Sequence, residues 1–331
     1  MKAAYLTETG APSVIQYGDL PKPQIGPRQA LVKMAAVSVN PIDTYIRDGA
    51  PYWELPNPYV IGSDLAGVVE QVGEEVSSVS VGDRVWCSNQ GFAGNQGTFS
   101  EYCAVDAQWL YRLPSGADEK EAAACALVGV TAHLGLFQSN ANLQPGETIY
   151  VQGGSGGVGS MVVQMAKLAG ARVIAAAGSP EKEAICRELG ADEVVAYQSE
   201  NVAERIAALA PDGVDVFWET QREPDFDLIV GSLAEKGRIV LMAGRDARPQ
   251  FPVGPFYVKQ ARMYGFVMFK ASAAEMRVCG EQIGRWLAEG KLRSQIGAEL
   301  PLCEAAQAHQ LQEAKTLHRE QQFAGKIILH P

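Results

Sequence analysis

The sequence predicts an α/β protein with two domains, a doubly wound parallel sheet and a separate β-rich domain. Three observations support this fold class. A glycine-rich turn joins an apolar strand to an apolar helix within residues 147–169. From residue 149 to about 265, short β-branched runs alternate with helical stretches, which is typical of a doubly wound sheet. Residues 1–120 instead show β-branched runs separated by glycine and proline, which indicates β structure without that alternation.

The glycine turn has the spacing of a dinucleotide-binding site. Residues 149–151 predict a buried strand, and residues 160–169 carry apolar side chains at helical spacing. In such a turn one glycine permits the tight bend, one lets the backbone approach a pyrophosphate, and one lets helix and strand pack closely. The start of the helix then offers free N–H groups to the phosphates. The predicted contacts are Gly154, Ser155, Gly156, Gly157, Val158 and Gly159.

The end of the second predicted strand favours NADPH over NADH. An NAD site places a carboxylate there to bind the ribose 2′-hydroxyl. Here strand 172–177 runs into a Gly178-Ser179 turn, followed by Lys182. The lysine can meet a 2′-phosphate with its charge, and Ser179 can add a hydrogen bond. In the alternative interpretation, Lys182 is a solvated residue of a charged helix start, where glutamates flank it on both sides.

Composition limits the possible functions. A chain of 331 residues is long enough for two domains, and 47% hydrophobic against 20% charged residues indicates a globular protein. The net charge of -10 argues against a nucleic-acid partner. We find no signal-peptide pattern and expect no apolar run long enough to cross a bilayer, so we expect no membrane partner. Six scattered cysteines suit reduced thiols, and we expect a cytoplasmic protein.

The order of the motifs resembles the medium-chain dehydrogenase/reductases, and more narrowly the zinc-independent quinone oxidoreductases of the zeta-crystallin type. The motifs that carry the resemblance are residues 40–49, 62–70, 81–85, 153–159 and 237–240. Together they cover nearly the whole chain. The resemblance implies a GroES-like catalytic domain formed by residues 1–122 and 266–331. It also implies a Rossmann domain, residues 123–265, that binds NADPH and is joined to the catalytic domain across a cleft.

The residues at the family's metal positions predict a protein without zinc. Zinc-dependent relatives carry cysteine where this chain has Asn40, and a His-Glu pair where it has Ser63 and Asp64. Tetrahedral zinc sites need three or four thiolate, imidazole or carboxylate ligands, and Asn40 and Ser63 are poor ligands. The structural cysteine lobe of those relatives is also missing between Cys87 and Cys103.

A protein without a Lewis acid can still reduce an electron-poor acceptor, because such an acceptor takes hydride directly from a dihydronicotinamide. The resemblance places Asn40, Asp43 and Tyr45 on the turn that faces the nicotinamide, so they are the candidate catalytic residues. Asn40 could donate to a carbonyl or to the cofactor ribose, and Tyr45 could donate its phenolic proton or stack on the substrate. Alternatively, Asn40 forms a turn, Asp43 is a helix cap, and Tyr45 packs in the core.

Further cofactor contacts follow from the resemblance alone. Thr131 matches a threonine near the nicotinamide phosphates, and Tyr197 matches a tyrosine near the adenosine phosphate. The residues that match segments near the nicotinamide carboxamide are Gly244, Phe266, Val267 and Met268. Some relatives bind the 2′-phosphate with an arginine near the C-terminus, where this chain has Gln321 with Arg319 nearby.

The leading hypothesis is an NADPH-dependent, zinc-independent quinone reductase. Residues 51–59 and 90–96 form aromatic- or glycine-bearing loops that could wall the substrate site, or could serve packing. A reductase of α,β-unsaturated aldehydes and ketones is the alternative within the same class. A binding protein that has kept the cofactor but lost turnover is the alternative from another class. The resemblance also predicts a homodimer that pairs near residues 249–256.

Overall fold

The computed structural model describes residues 1–50, 52–138, 140–317 and 324–331. It divides into two compact units. The first consists of Met1–Val130 with Ala271–Pro331, and the second is Thr131–Lys270. The boundaries expected from the sequence, after residues 122 and 265, lie a few residues earlier in each case.

The amino-terminal part of the chain is mostly strand, as its β-branched runs predict. Its strands are β1 Lys2–Leu6, β2 Gln16–Asp19, β3 Gln29–Val39, β4 Tyr59–Val60, β5 Asp64–Val72, β6 Arg84–Cys87, β7 Tyr102–Asp106 and β8 Tyr111–Arg112. Its helices are α1 Pro41–Arg47 and α2 Glu119–Phe137. Proline at the first position of α1 suits a helix start, because that position has no N–H to satisfy.

The middle of the chain alternates strand and helix. Its strands are β9 Thr148–Val151, β10 Arg172–Ala177, β11 Glu193–Ala196, β12 Val214–Glu219, β13 Leu233–Leu241 and β14 Arg262–Gly265. Its helices are α3 Gly157–Leu168, α4 Pro180–Glu188, α5 Val202–Leu209, α6 Phe226–Ser232 and α7 Val253–Val258. The carboxyl-terminal part adds α8 Ala273–Ala288, β15 Ile296–Pro301, α9 Ala305–Thr316 and β16 Lys326–His330.

The first unit contains a three-stranded sheet, β2-β1-β4, and a seven-stranded sheet. The larger sheet has the order β15-β16-β3-β5-β6-β8, with β7 also paired to β3. Strand β16 runs antiparallel to β3, with Ile327 opposite Val39. The carboxyl-terminal strand therefore lies inside the sheet of the amino-terminal segment.

The second unit contains a six-stranded sheet with the order β11-β10-β9-β12-β13-β14, and every pair in it is parallel. From β9 the chain adds β10 and β11 on one side of the sheet, and it then returns to add β12, β13 and β14 on the other side. The carboxyl ends of β9 and β12 therefore form a topological switch point. Ligands of doubly wound sheets bind at such points. The core of this unit is formed by strand and helix side chains such as Tyr150, Phe217 and Ile229, which are fully buried.

Helix α2 corrects one expectation from the sequence. It is long and apolar enough to cross a bilayer by length and composition, with a mean hydropathy of 1.2. However, 78% of the apolar 18-residue stretch of this helix is buried inside the protein, as in the core helix of a folded domain.

Candidate active site

The glycine turn after β9 forms a backbone cradle at the start of α3. Gly153 has φ +73°, and a Cβ at Gly159 would lie only 2.1 Å from the carbonyl oxygen of Gly153. Neither position therefore tolerates a side chain without moving the backbone. The first helical bond runs from Ser160 N to Gly156 O at 2.9 Å. The N–H groups of residues 157–159 have no carbonyl within the helix to bond, so this cradle fits a pyrophosphate.

Four predicted cofactor residues come together at the carboxyl end of β10. Ser179 caps α4, because its hydroxyl accepts a hydrogen bond from Lys182 N at 3.3 Å. Tyr197 N donates to Ala177 O at 3.2 Å. A Cβ at Gly178 would lie 2.2 Å from the Tyr197 hydroxyl, so only glycine leaves room for the phenol there. Within the described part of the chain, the ion pair of this helix joins Arg187 to Glu183, and the Lys182 amino group forms none, so it is available to an anion.

The other cofactor residues predicted by resemblance are distributed over the same unit. Thr131 is buried on α2. Gly244 follows β13 with φ +77°. Phe266, Val267 and Met268 follow β14, where Val267 is exposed and Met268 is buried. The positions Arg319 and Gln321 lie outside the described residues.

Glu219 ends β12 at the switch point, and no sequence motif indicated a role for it. Its side chain is buried, and burial raises the pKa of its carboxyl group to about 7. The carboxylate accepts a hydrogen bond from Gln221 N. Next to it, Thr220 Oγ1 donates to Gln152 O at 2.7 Å and joins the ends of β9 and β12. The position of an acidic residue at the end of an apolar strand could have indicated this buried carboxyl group.

In the first unit, the residues at the family's metal positions form a buried hydrogen-bond network. Asn40 Nδ2 donates to Asp64 Oδ2 at 2.7 Å and to Ser63 Oγ at 3.2 Å. Ser38 Oγ also donates to Asp64 Oδ2, at 2.9 Å. All four residues are at most 1% exposed. Two amide protons are available on Asn40, and both are engaged within the domain.

Lys326 completes this network, although no sequence motif indicated that it would. Its amino group donates to Val39 O at 2.8 Å and to Asn40 Oδ1. Burial lowers the pKa of Lys326, while the nearby carboxylates of Asp64 and Asp43 oppose that change. Burial in turn raises the pKa of Asp64. The position of a lysine at the start of an otherwise apolar strand could have indicated a buried partner for it.

Helix α1 carries the other two candidate catalytic residues. Asp43 Oδ2 accepts a hydrogen bond from Asn40 N at 2.8 Å, so the carboxylate caps the helix. It is 1% exposed, and burial together with the neighbouring Asp64 charge raises its pKa to about 7. Tyr45 is half-buried on the same helix.

Two loops singled out as possible substrate walls are tied to each other. Tyr59 Oη donates to Gly91 O at 2.8 Å, and Val60 N donates to Gln96 Oε1 at 2.6 Å. The rings of Trp53 and Phe92 meet edge to face at 5.2 Å. A shallow cavity of about 480 Å³ opens between the loops, and it is lined by Trp53, Glu54, Leu55, Pro56, Ala93 and Gly94. Pro51 lies outside the described residues.

The network around Asn40 does not fit a metal ion. A zinc site needs acceptor groups facing inward, whereas Lys326 directs a protonated donor into the cluster and Asn40 directs its amide protons toward Asp64. Across residues 1–50, 52–138, 140–317 and 324–331, no three His, Cys, Asp or Glu side chains are grouped to hold a metal.

A GroES-like unit and a Rossmann sheet in one chain define the medium-chain dehydrogenase/reductase class. Family models agree with this architecture. The model for the alcohol dehydrogenase GroES-like domain matches residues 26–115, and the model for zinc-binding dehydrogenases matches residues 157–279.

Known proteins place the chain more narrowly. The quinone oxidoreductase of Rattus norvegicus is 33% identical over 331 residues, which cover 99% of this chain and 97% of the relative. A chloroplastic NADPH-dependent alkenal/one oxidoreductase of Arabidopsis thaliana is 34% identical and covers 76% of this chain and 64% of its own length. The chain belongs to the quinone oxidoreductase family of the medium-chain dehydrogenase/reductase superfamily, and it is an oxidoreductase.

Solved structures include relatives with different cofactors. A mycobacterial quinone oxidoreductase is 31% identical with a TM-score of 0.87, and both chains are covered completely. A complex of a mycobacterial relative with NADPH is also 31% identical, with a TM-score of 0.84 and complete coverage of both chains. A structure described as an NAD-dependent alcohol dehydrogenase is 30% identical with a TM-score of 0.90, again with complete coverage. Similarity alone therefore does not decide between NADPH and NADH for this chain.

Proposed function

We propose that this protein is an NADPH-dependent, zinc-independent reductase that transfers hydride to a quinone. One observation carries the cofactor preference. Strand β10 ends in Gly178 and Ser179 with no carboxylate at its tip, while Lys182 and the Tyr197 hydroxyl stand beside that turn. An amino group and hydroxyls suit a 2′-phosphate, whereas a ribose 2′-hydroxyl would call for a carboxylate. The related quinone oxidoreductases support the choice of acceptor.

Each part of the site has a separate task in this proposal. NADPH, when bound, supplies the hydride. The N–H groups of residues 157–159 bind the pyrophosphate, and Lys182 with Tyr197 holds the 2′-phosphate. Tyr45 stacks on the flat acceptor and orients it, while water supplies the proton to the reduced oxygen. The network around Asn40 provides no Lewis acid and takes no part in the electron transfer.

Steady-state kinetics test this proposal directly. NADPH and NADH are each offered with a panel of quinones, enals and simple ketones, and oxidation of the dihydronicotinamide is followed by absorbance. We expect turnover with quinones, a kcat/KM for NADPH well above that for NADH, and no turnover with simple ketones. Addition of a chelator should leave the rate unchanged. Higher activity with NADH, or loss of activity on chelation, would reject the cofactor or the metal-free part of the proposal.

Reduction of α,β-unsaturated aldehydes and ketones is the second candidate function. Its support is the similarity to the Arabidopsis alkenal/one oxidoreductase. The same panel separates the two, because an alkenal reductase would have its highest kcat/KM with enals. A cofactor-binding protein without turnover would bind NADPH in a fluorescence titration and oxidise it with no acceptor.

The proposal includes a homodimer that pairs through the edge of the parallel sheet. Strand β14 is the last strand of that sheet, and Met263 on it is 43% exposed. The neighbouring helix α7 exposes Val253, Tyr257 and Val258 at 63–68%. Exposed apolar groups beside a strand with one open edge suit a second copy of the chain. Analytical ultracentrifugation should give a dimer for the wild type and a monomer for Val258→Glu; a wild-type monomer would reject the dimer.

A cytoplasmic location is also part of the proposal. None of the six cysteines forms a disulfide, and five of them are buried, as expected in a reducing compartment. Cell fractionation with an antibody against the native protein tests it.

A further inference from the structure

We propose that Lys326 is a positioning residue that stands in for the metal of the zinc-dependent relatives, an internal cation that locks the Asn40 amide at the start of α1. The residues at the family's metal positions are not merely unable to bind zinc. They are joined to one another by hydrogen bonds of the Asn40 amide, which also accepts one from the amino group of Lys326, a residue of β16 that is only 6% exposed.

The chemistry of the partners fixes the orientation of the Asn40 amide. Lys326 can only donate, so the amide oxygen must face it. The Asp64 carboxylate can only accept when ionised, so the amide nitrogen must face the opposite direction. A reversed amide would point its protons at the ammonium and its oxygen at the carboxylate. The two charged groups therefore define one orientation of Asn40.

This orientation leaves Asn40 no N–H donor for a ligand. Both amide protons donate, to Asp64 and Ser63, and the oxygen accepts from Lys326. Its backbone N–H is also used, because it donates to the capping carboxylate of Asp43. We therefore assign Asn40 an indirect role. With Lys326 it holds the first turn of α1, and α1 carries Tyr45.

Lys326 also balances the charge of the cluster. Asp43 and Asp64 are two fully buried carboxyl groups on neighbouring segments, and a buried carboxylate without a counter-charge is unfavourable. The ammonium lies between the end of β3 and the start of α1, where it donates to Val39 O as well as to Asn40. Positioning and charge balance can be separated, because the first depends on the amide contact and the second only on the net charge.

The test compares Lys326→Met with the charge-neutral double variant Lys326→Met/Asp64→Asn, with Lys33→Met as control. Lys33 is an exposed lysine on β3 of the same sheet. Lys326→Met should lower the melting temperature by about 10 °C, because it leaves a buried carboxylate unbalanced. The double variant should recover most of that loss. The control should change neither stability nor turnover.

Turnover distinguishes positioning from charge balance, and this readout rests on the proposed reductase activity. We expect kcat with a quinone to fall about tenfold to a hundredfold in both Lys326 variants. The dissociation constant of NADPH should stay within about twofold, because the network contains no residue of the cofactor-binding unit. Recovery of wild-type kcat in the double variant would overturn the positioning role, and so would an unchanged kcat in Lys326→Met.

A second readout does not depend on activity. The chain has seven asparagines, so a spectrum of protein labelled with ¹⁵N-asparagine contains seven side-chain amide pairs, and Asn40→Asp assigns one of them. We expect the Asn40 amide protons to exchange slowly in the wild type and about tenfold faster in the double variant, in which Asp64→Asn adds an eighth pair to the spectrum. Equal exchange in both would overturn the proposal. If the wild type reduces no acceptor while the exchange result holds, the proposed function fails and the positioning role stands.

Discussion

Glu219 should make the second unit less stable as the pH rises. Its carboxyl group is 3% exposed at the end of β12, and burial raises its pKa to about 7, against 4.5 for the exposed group. Between those two values the folded protein keeps a proton that the unfolded chain releases, so the stability falls with increasing pH and levels off above pH 7. Glu219→Gln removes the titration and keeps an oxygen that can accept from Gln221 N.

The expected magnitude follows from the two pKa values. Each pH unit between 4.5 and about 7 costs the folded state about 1.4 kcal/mol, so the full loss is about 3 kcal/mol at pH 8. At pH 5.5 only about 1 kcal/mol of that loss is present. Going from pH 5.5 to 8, the stability of Glu219→Gln relative to the wild type should therefore increase by about 2 kcal/mol.

The assay must report on the second unit alone. Trp218 is the only tryptophan within residues 131–270, and it is fully buried. Urea unfolding of protein labelled with 5-fluorotryptophan, followed by ¹⁹F NMR at the Trp218 resonance, isolates that unit. Glu223→Gln, an exposed glutamate on the following loop, serves as the control and should show no such pH dependence. A difference between Glu219→Gln and wild type that stays constant from pH 5.5 to 8 would refute the reasoning.

Four further predictions concern the site. Lys182→Ala should weaken NADPH binding about tenfold to a hundredfold and leave NADH binding nearly unaffected, because a charge-assisted contact to the 2′-phosphate is lost. Isothermal titration measures both affinities, with Arg187→Ala on the same helix as the control. An equal loss for both cofactors would remove Lys182 from the phosphate site. Gly159→Ala should destabilise the second unit by about 3 kcal/mol, since its Cβ meets a backbone carbonyl. By contrast, Gly178→Ala should change the stability little, since only the movable Tyr197 ring is displaced, but it should raise the KM for NADPH. Similar melting temperatures for Gly159→Ala and Gly178→Ala would contradict this. Tyr45→Phe should keep kcat with a quinone within about threefold, whereas Tyr45→Ala should raise the KM for the quinone about fivefold, because the stacking ring is lost. A large loss of kcat in Tyr45→Phe would show instead that the phenol donates the proton.

Local patterns predicted most of the fold. The alternation of strands and helices after residue 148 predicted the parallel sheet, because four of its five strand pairs join strands that follow each other in the chain. The glycine turn likewise predicted the cradle, since the close approach of Gly159 to Gly153 is a short-range contact. Bounds were reliable where apolar runs end in glycine or a capping residue, as at Ser179.

The contacts that the sequence did not reveal are those between distant segments. Lys326 and Asn40 are 286 residues apart, and no periodic pattern connects them. The sequence suggested that Asn40 could bind a ligand, but its hydrogen bonds depend on three other segments of the chain. The same holds for Glu219, whose pKa depends on how deeply the sheet buries the end of β12.

The place of β16 in the sheet has a consequence for synthesis. Residues 131–270 are contiguous, so that unit can fold as soon as it has left the ribosome. The β-rich unit has to wait, because the edge of β3 stays open until residues 326–330 have been translated. During this interval the nascent chain carries an exposed strand edge and three polar residues, Asn40, Ser63 and Asp64, without their lysine. A chaperone that binds extended apolar segments would find its target there, and slower translation of the last helix would lengthen its time to act.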